Sequence, residues 1–304
     1  MLNADLLLDR QRLKRQLIVW RVGAIIAGVV ALATLVVPAG LAGIGTSHVA
    51  RVNVNGIITE NQKLLDAVAA LAKNSLVPAV ILSIDSPGGS VAGGESLRAA
   101  LIRLAAVKPV VAVMHGTAAS AGYMIALPTA RIFARDATLT GSIGVILETG
   151  EASGLLAKLG LAADAITSGP LKDQPSFTRP LTPEGREYLN GLVADMYDQF
   201  VTMVVDARHM DKREVQILAD GRAYTGRQAQ KLGLVDEIGG EIEARIWLAR
   251  ERGVSESLPA EDLRMGTLYE RTVGATLSGM WQSALGRIQP SAGPAALWTG
   301  GSAR

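Results

Sequence analysis

Beyond residue 48 the chain alternates between short runs of apolar residues and longer stretches with helical spacing. "VARVNVNGII" (49–58) alternates apolar and polar positions, which predicts a first strand. "NQKLLDAVAALAKN" (61–74) places its apolar residues at helical intervals. "AVILSID" (79–85) is continuously apolar, as in a strand covered on both faces and ending at Asp85. "SPGGSVAGGESLRAALIRLAA" (86–106) predicts a sharp turn at Pro87-Gly88-Gly89 and then a helix. "VVAVM" (110–114) is the next strand, and "HGTAASAGYM" (115–124) a loop leading into a helix. "RIFA", "GSIGVIL" and "AADAITSG" (162–169) predict further short strands. This strand–helix order implies an α/β fold with a mainly parallel sheet and right-handed crossovers.

Capping signals mark the helices that follow. Thr182 and Pro183 open a long amphipathic helix. Asp211 with Glu214 and Thr225 with Gln228 have capping-box spacing, and Gly233 suits a helix end. "GLVDEIGG" predicts a short strand and turn. From about Glu251 periodicity weakens, and the last fifteen or so residues read as flexible. "LSGMWQSALGRI" (277–288) has the pattern of an ordinary packing segment or of an amphipathic contact.

The N-terminal region follows a different pattern. From Val22 to Ser47 no residue is charged, while Arg10, Arg12, Lys14, Arg15 and Arg21 precede that run. About 20 apolar residues span a bilayer core, and the charge asymmetry places the N-terminus in the cytoplasm and the rest on the exported side. The competing readings are a cleaved signal peptide, with Gly40 and Ala42 near a processing site, and a buried core helix. The long basic flank favours a retained anchor. The expected organisation is a cytoplasmic segment 1–21, a transmembrane anchor 22–45, one folded domain 46–250 and a helical or flexible tail 251–304.

Composition narrows the chemistry. The 304 residues carry a net charge of +2 with no large basic cluster, so nucleic acid is not an expected partner. There are no cysteines, which excludes disulfides, thiolate metal sites and a cysteine nucleophile. The three histidines, His48, His115 and His209, have no metal-ligand spacing. Neither metal nor cofactor is expected.

Two small-residue segments stand at the ends of predicted strands, where open α/β sheets place their sites. The glycines of "IDSPGGSVAGG" are read as a plain strand-to-helix connection or as a turn whose N–H groups hold developing negative charge. Ser120 sits in "HGTAASAGYM", read as a packing motif or as an accessible nucleophile. A serine needs a base, and His115, five residues earlier in a loop, has no defined geometry toward it. Lys172, in "SGPLKDQPSFTRPLTPEG", is by composition a surface lysine; as a base it would have to be made neutral by burial.

Six segments in order, "VNVNGIIT", "IDSPGGSV", "AASAGYMIA", "TLTGSIGV", "SGPLKD" with "RPLTPEG", and "AYTGRQAQKLGLVDEIGG", resemble the signal peptide peptidase A group of S49-type serine proteases. The resemblance covers roughly residues 50 to 245. It implies a fold like that of the Clp protease and the crotonases, with Ser120 as nucleophile and Lys172 as general base. It further implies Ser142 as a hydrogen-bond partner of that lysine, and backbone N–H groups of Gly88, Gly89 and Ala121 as the oxyanion hole. Asp85 and Asp173 are expected to be structural. The implied substrates are remnant signal peptides or membrane-protein fragments, cleaved by a ring-shaped homo-oligomer whose serine and lysine come from neighbouring subunits. Two departures stand out: Ala121 replaces a usual glycine, and residues 147–160 fall where the family's pocket-lining segment varies. The alternatives are a crotonase-like acyl-transfer enzyme and a non-catalytic membrane ring scaffold.

Overall fold

The structure, a computed structural model, describes residues 17–18, 20–28 and 46–263. The chain divides into two units, Met1–Ser47 and His48–Arg304. In the first, residues 20–28 are helical (α1). Among the described residues no helix is long and apolar enough to cross a membrane, and most of the expected anchor, residues 29–45, lies outside them. The segment 277–288 and the end of the tail also lie outside the described residues.

The second unit is built on an eight-stranded sheet. Its elements run β1 (Val49–Ile58), α2 (Gln62–Lys73), β2 (Val80–Gly89), α3 (Val91–Ala105), β3 (Val110–Ala119), α4 (Ala121–Ala126), β4 (Arg131–Ala134) and β5 (Leu139–Gly141). There follow α5 (Ser153–Lys158), α6 (Pro183–Arg208), α7 (Lys212–Leu218), β6 (Ala223–Thr225), α8 (Gly226–Lys231), β7 (Glu237–Ile238), α9 (Glu241–Arg252) and β8 (Ala260–Asp262). The sheet order is β6-β5-β3-β2-β1-β8, with β4 beside β3 and β7 beside β4. Every pairing is parallel except the antiparallel β5–β6.

Alternation along the central strands divides the core in two. Val80, Leu82, Ile84, Ala112 and Met114 join the large cluster that includes helix residues Leu101, Tyr123 and Val201. Ile81, Val111, Val113 and Phe133 face the other way, against Trp247 and Leu248 of α9. Helices therefore cover both faces, which is why β2 reads as a continuous apolar run.

The helix starts follow local chemistry. Thr182 Oγ1 accepts from the Gly185 N–H at 3.0 Å, Asp211 caps α7, and Thr225 with Gln228 completes a capping box on α8. Arg208, at the end of α6, bonds the Asp236 carboxylate at 2.7 and 3.2 Å and the Gly233 carbonyl at 2.8 Å.

Several sequence expectations need correction. The second strand does not end at Asp85 but continues through Pro87 and Gly88 to Gly89, because β1 supplies partners as far as Ile58↔Gly89. Likewise β3 runs on to Ala119: it pairs β4 through Val111–Met114 and then β5 through Thr117–Ala119. "GSIGVIL" contributes only Gly141 to a strand, and "AADAITSG" forms none; the latter is largely exposed and pairs with no strand. Conversely, the chain beyond residue 250 supplies β8, which pairs Val49–Arg51 of β1. Arg51 secures it with bonds to Glu241 and Asp262.

Candidate active site

Ser120 stands at the junction of β3 and α4 with φ 53° and ψ −121°, a conformation that side chains other than glycine rarely adopt. Its N–H donates to the Gly141 carbonyl at 2.9 Å, and its own carbonyl accepts from Tyr123 and Met124, opening α4. All six residues of α4 are buried, and Tyr123 Oη donates to the Leu234 carbonyl at 2.8 Å. The strained serine is thus held from both sides.

Small neighbours are a steric requirement here. A Cβ on Gly122 would stand 3.0 Å from the Ser86 carbonyl oxygen. One on Gly88, whose φ is +118°, would stand 2.8 Å from Ser120 Cβ and 3.2 Å from Oγ. Gly89 is tighter still, since a Cβ there would meet the Ile58 carbonyl oxygen at 1.9 Å. The glycines around Ser120 are therefore required for close packing, the first of the two readings.

Ser120 opens onto a cleft of about 720 Å³. Gly89 and Pro87 line one wall and Ser142 and Val145 another, while Val193, Ala194 and Tyr197 of α6 close it. Ser142 also has a left-handed backbone, φ 47°. Its N–H donates to the Arg222 carbonyl at 3.0 Å and its hydroxyl to the Gly221 carbonyl at 3.2 Å.

The expected oxyanion donors are not equivalent. The Gly88 N–H donates to Ser86 Oγ at 3.1 Å, so that donor is already engaged. Gly89 lines the cleft. Ala121 is the first residue of α4, where an N–H has no partner within its own helix.

Lys172 is not among the cleft's lining residues. It is exposed and lines a separate pocket of about 520 Å³ with Gly169, Pro170, Gln174 and Tyr188. His115 is turned elsewhere: its Nε2 lies 2.9 Å from Ser83 Oγ. Asp85 accepts from the Thr117 N–H at 3.0 Å, and Asp173 pairs with Arg179, whose guanidinium holds the carboxyl below its ordinary value. In place of the local backbone bonds expected of both, Asp85 bonds a backbone N–H on β3 and Asp173 pairs with a side chain.

Sequence reasoning missed the α6 wall and the Asp220–Gly221–Arg222 turn. The Asp-Gly pair before "AYTG" was the available signal. Nothing local places it beside Ser142.

A serine on a sharp strand-to-helix turn, at the C-terminal end of a parallel strand and open to a cleft, has the setting of a nucleophile in an α/β enzyme. Residues 102–255 match Peptidase family S49. A putative protease of Synechocystis is 40% identical over 208 residues, spanning 68% of this chain and 75% of the relative. A putative signal peptide peptidase SppA of Enterococcus faecium is 33% identical over 233 residues, spanning 72% and 68%. The fold also overlays on a membrane-bound stomatin-specific protease with a TM-score of 0.47 at 16% identity, over 73% of this chain and 100% of that one. The chain belongs to peptidase family S49 and is a serine peptidase.

Proposed function

We propose that this peptidase works through a Ser120/Lys172 dyad assembled between neighbouring copies of the chain, on a Clp protease/crotonase-like fold. The observation that carries the reading is the conformation of Ser120, a strained residue facing a cleft with Gly89 and Ser142. Lys172, as general base, takes the Ser120 proton as Oγ attacks the peptide carbonyl. The oxyanion rests on the N–H groups of Gly89 and Ala121. Gly88 acts through the turn it shares with Ser86 and joins as a donor only by releasing Ser86 Oγ. The C–N bond then breaks, the lysine returns the proton to the leaving amine, and water attacks the acyl-enzyme with the same lysine as base.

That Lys172 is exposed and lines another pocket supports its supply to a second copy rather than to its own Ser120. The segment carrying it is rich in uncovered apolar side chains, among them Ile146, Leu155, Leu159, Leu161, Ile166 and Phe177, which a ring interface would bury. The uncharged run from Val22 to Ser47 supports a single-pass anchor with the peptidase on the exported side. Remnant signal peptides and membrane-protein fragments are the substrates this setting supplies.

The test is fluorophosphonate labelling and peptide cleavage by the wild type, Ser120→Ala and Lys172→Ala, alone and co-assembled. Each variant alone is inactive, and random mixing in a closed ring of shared sites restores about one quarter of the activity. Labelling of Ser120→Ala, or mixed rings that stay inactive, sinks the shared dyad.

A further inference from the structure

The turn Asp220–Gly221–Arg222 lies on the cleft, far in sequence from Ser120, yet its bonds lead directly to the catalytic strand end. The Asp220 carboxylate accepts from the Arg222 N–H at 3.1 Å and from Arg222 Nε at 2.8 and 2.7 Å. This closes the turn around Gly221, whose φ of +89° suits glycine. So closed, it presents two consecutive carbonyls to one residue. Gly221 O accepts from the Ser142 hydroxyl and Arg222 O from the Ser142 N–H. The preceding carbonyl, Gly141 O, accepts from the Ser120 N–H.

A serine hydroxyl carries one proton and two acceptor lone pairs. With its proton committed to Gly221 O, Ser142 turns only acceptor capacity toward the cleft. That is the polarity needed to receive an N–H from an amine base, and the wrong polarity for binding a substrate carbonyl.

We infer that Asp220 is a positioning residue of the active site: by locking the 220–222 turn onto Arg222 it fixes the Ser142 hydroxyl as an acceptor for the general base. The inference rests on the Ser120/Lys172 reading. Asp220 touches neither the nucleophile nor the base in this scheme; it acts through Ser142.

The test is a double-mutant cycle on the full chain, with hydrolysis of a blocked leucine p-nitrophenyl ester as readout. Asp220→Ala lowers kcat about 10- to 100-fold, the scale of a displaced catalytic contact, and leaves KM within about twofold. Asp220→Asn, which keeps an oxygen for the Arg222 N–H, recovers most of the rate. The Ser142→Ala/Asp220→Ala double variant is no slower than Ser142→Ala alone. If Asp220→Ala does not fold, Arg222→Met opens the same lock, and its cycle with Ser142→Ala carries the same expectation. Losses that multiply in the double variant, or an Asp220→Asn enzyme as slow as Asp220→Ala, overturn the positioning role. Lys172→Ala, run alongside, separates the two readings. An active Lys172→Ala enzyme removes the dyad itself, whereas an inactive one with multiplying losses removes only the role of Asp220.

Discussion

Gly88 and Ser120 are packed face to face: a Cβ on residue 88 would lie 2.8 Å from Ser120 Cβ and 3.2 Å from its Oγ. The glycine-rich end of β2 therefore limits where the serine side chain can stand. Gly88→Ala adds that Cβ at a φ of +118°, which L side chains rarely adopt. The substitution is expected to cost about 1–3 kcal/mol of stability through backbone strain and to lower kcat about 100-fold by displacing Oγ. Chemical denaturation and ester hydrolysis measure the two effects; a wild-type rate contradicts the contact.

Ala194, exposed on α6, lines the cleft. Ala194→Phe fills part of the space facing Ser120 without entering the core. KM for peptide substrates rises about tenfold or more, as about 1–3 kcal/mol of cleft contacts are displaced, while fluorophosphonate labelling of Ser120 persists. An unchanged KM shows that substrate does not use this wall.

Thr182 caps the helix that forms that wall, with its hydroxyl 3.0 Å from the Gly185 N–H. Thr182→Ala removes the cap at a cost of about 1 kcal/mol. The urea midpoint should fall with an unchanged m-value. A loss well under half that size indicates that Pro183 and tertiary contacts hold the helix start without the cap.

β8 is tied to β1 through Asp262, whose carboxylate is held below its ordinary value by bonds from Arg51 and then Asn53. Because the folded value is depressed, the contribution is present above the ordinary aspartate value of about 3.9 and is lost as pH falls through the lower folded value. The carboxylate is exposed, so the effect is local and screened by salt. Amide exchange at residues 260–263 should accelerate below about pH 4 relative to the β2 core. Asp262→Asn should remove that acid-induced change, and an acid response that persists in the variant assigns it to another group.

The uncharged N-terminal run carries the expected membrane attachment. Deleting residues 1–45 should move the protein from the carbonate-resistant membrane fraction to the soluble one, with the peptidase domain still foldable because the buried core among the described residues lies between Val49 and Val254. A full-length chain that carbonate extracts overturns the anchor.

Local sequence determined the elements whose formation depends on near neighbours. The continuous apolar run 79–84 specified a strand because helices cover both faces of the sheet. Thr182, Asp211 and Thr225 marked helix starts because a cap bonds to an N–H within three residues. Ser120 and its small neighbours read locally as packing or as access; the reason for their size, contacts with Ser86 and Gly88, lies more than thirty residues away.

Tertiary structure decided what depends on partners distant in the chain. The Gly-rich ends of β2 and β3 have no strand pattern of their own; pairing with β1 and β5 extends them to Gly89 and Ala119. The 162–169 segment reads as a strand but is largely exposed and pairs with none. No periodicity brings Gly221 to the Ser142 hydroxyl across 79 residues of sequence, or keeps Lys172 out of the Ser120 cleft of its own chain. Short-range hydrogen bonding and side-chain burial leave a trace in every few residues of sequence. The approach of remote segments leaves none until the sheet is assembled, and in this peptidase that approach sets the geometry around the serine.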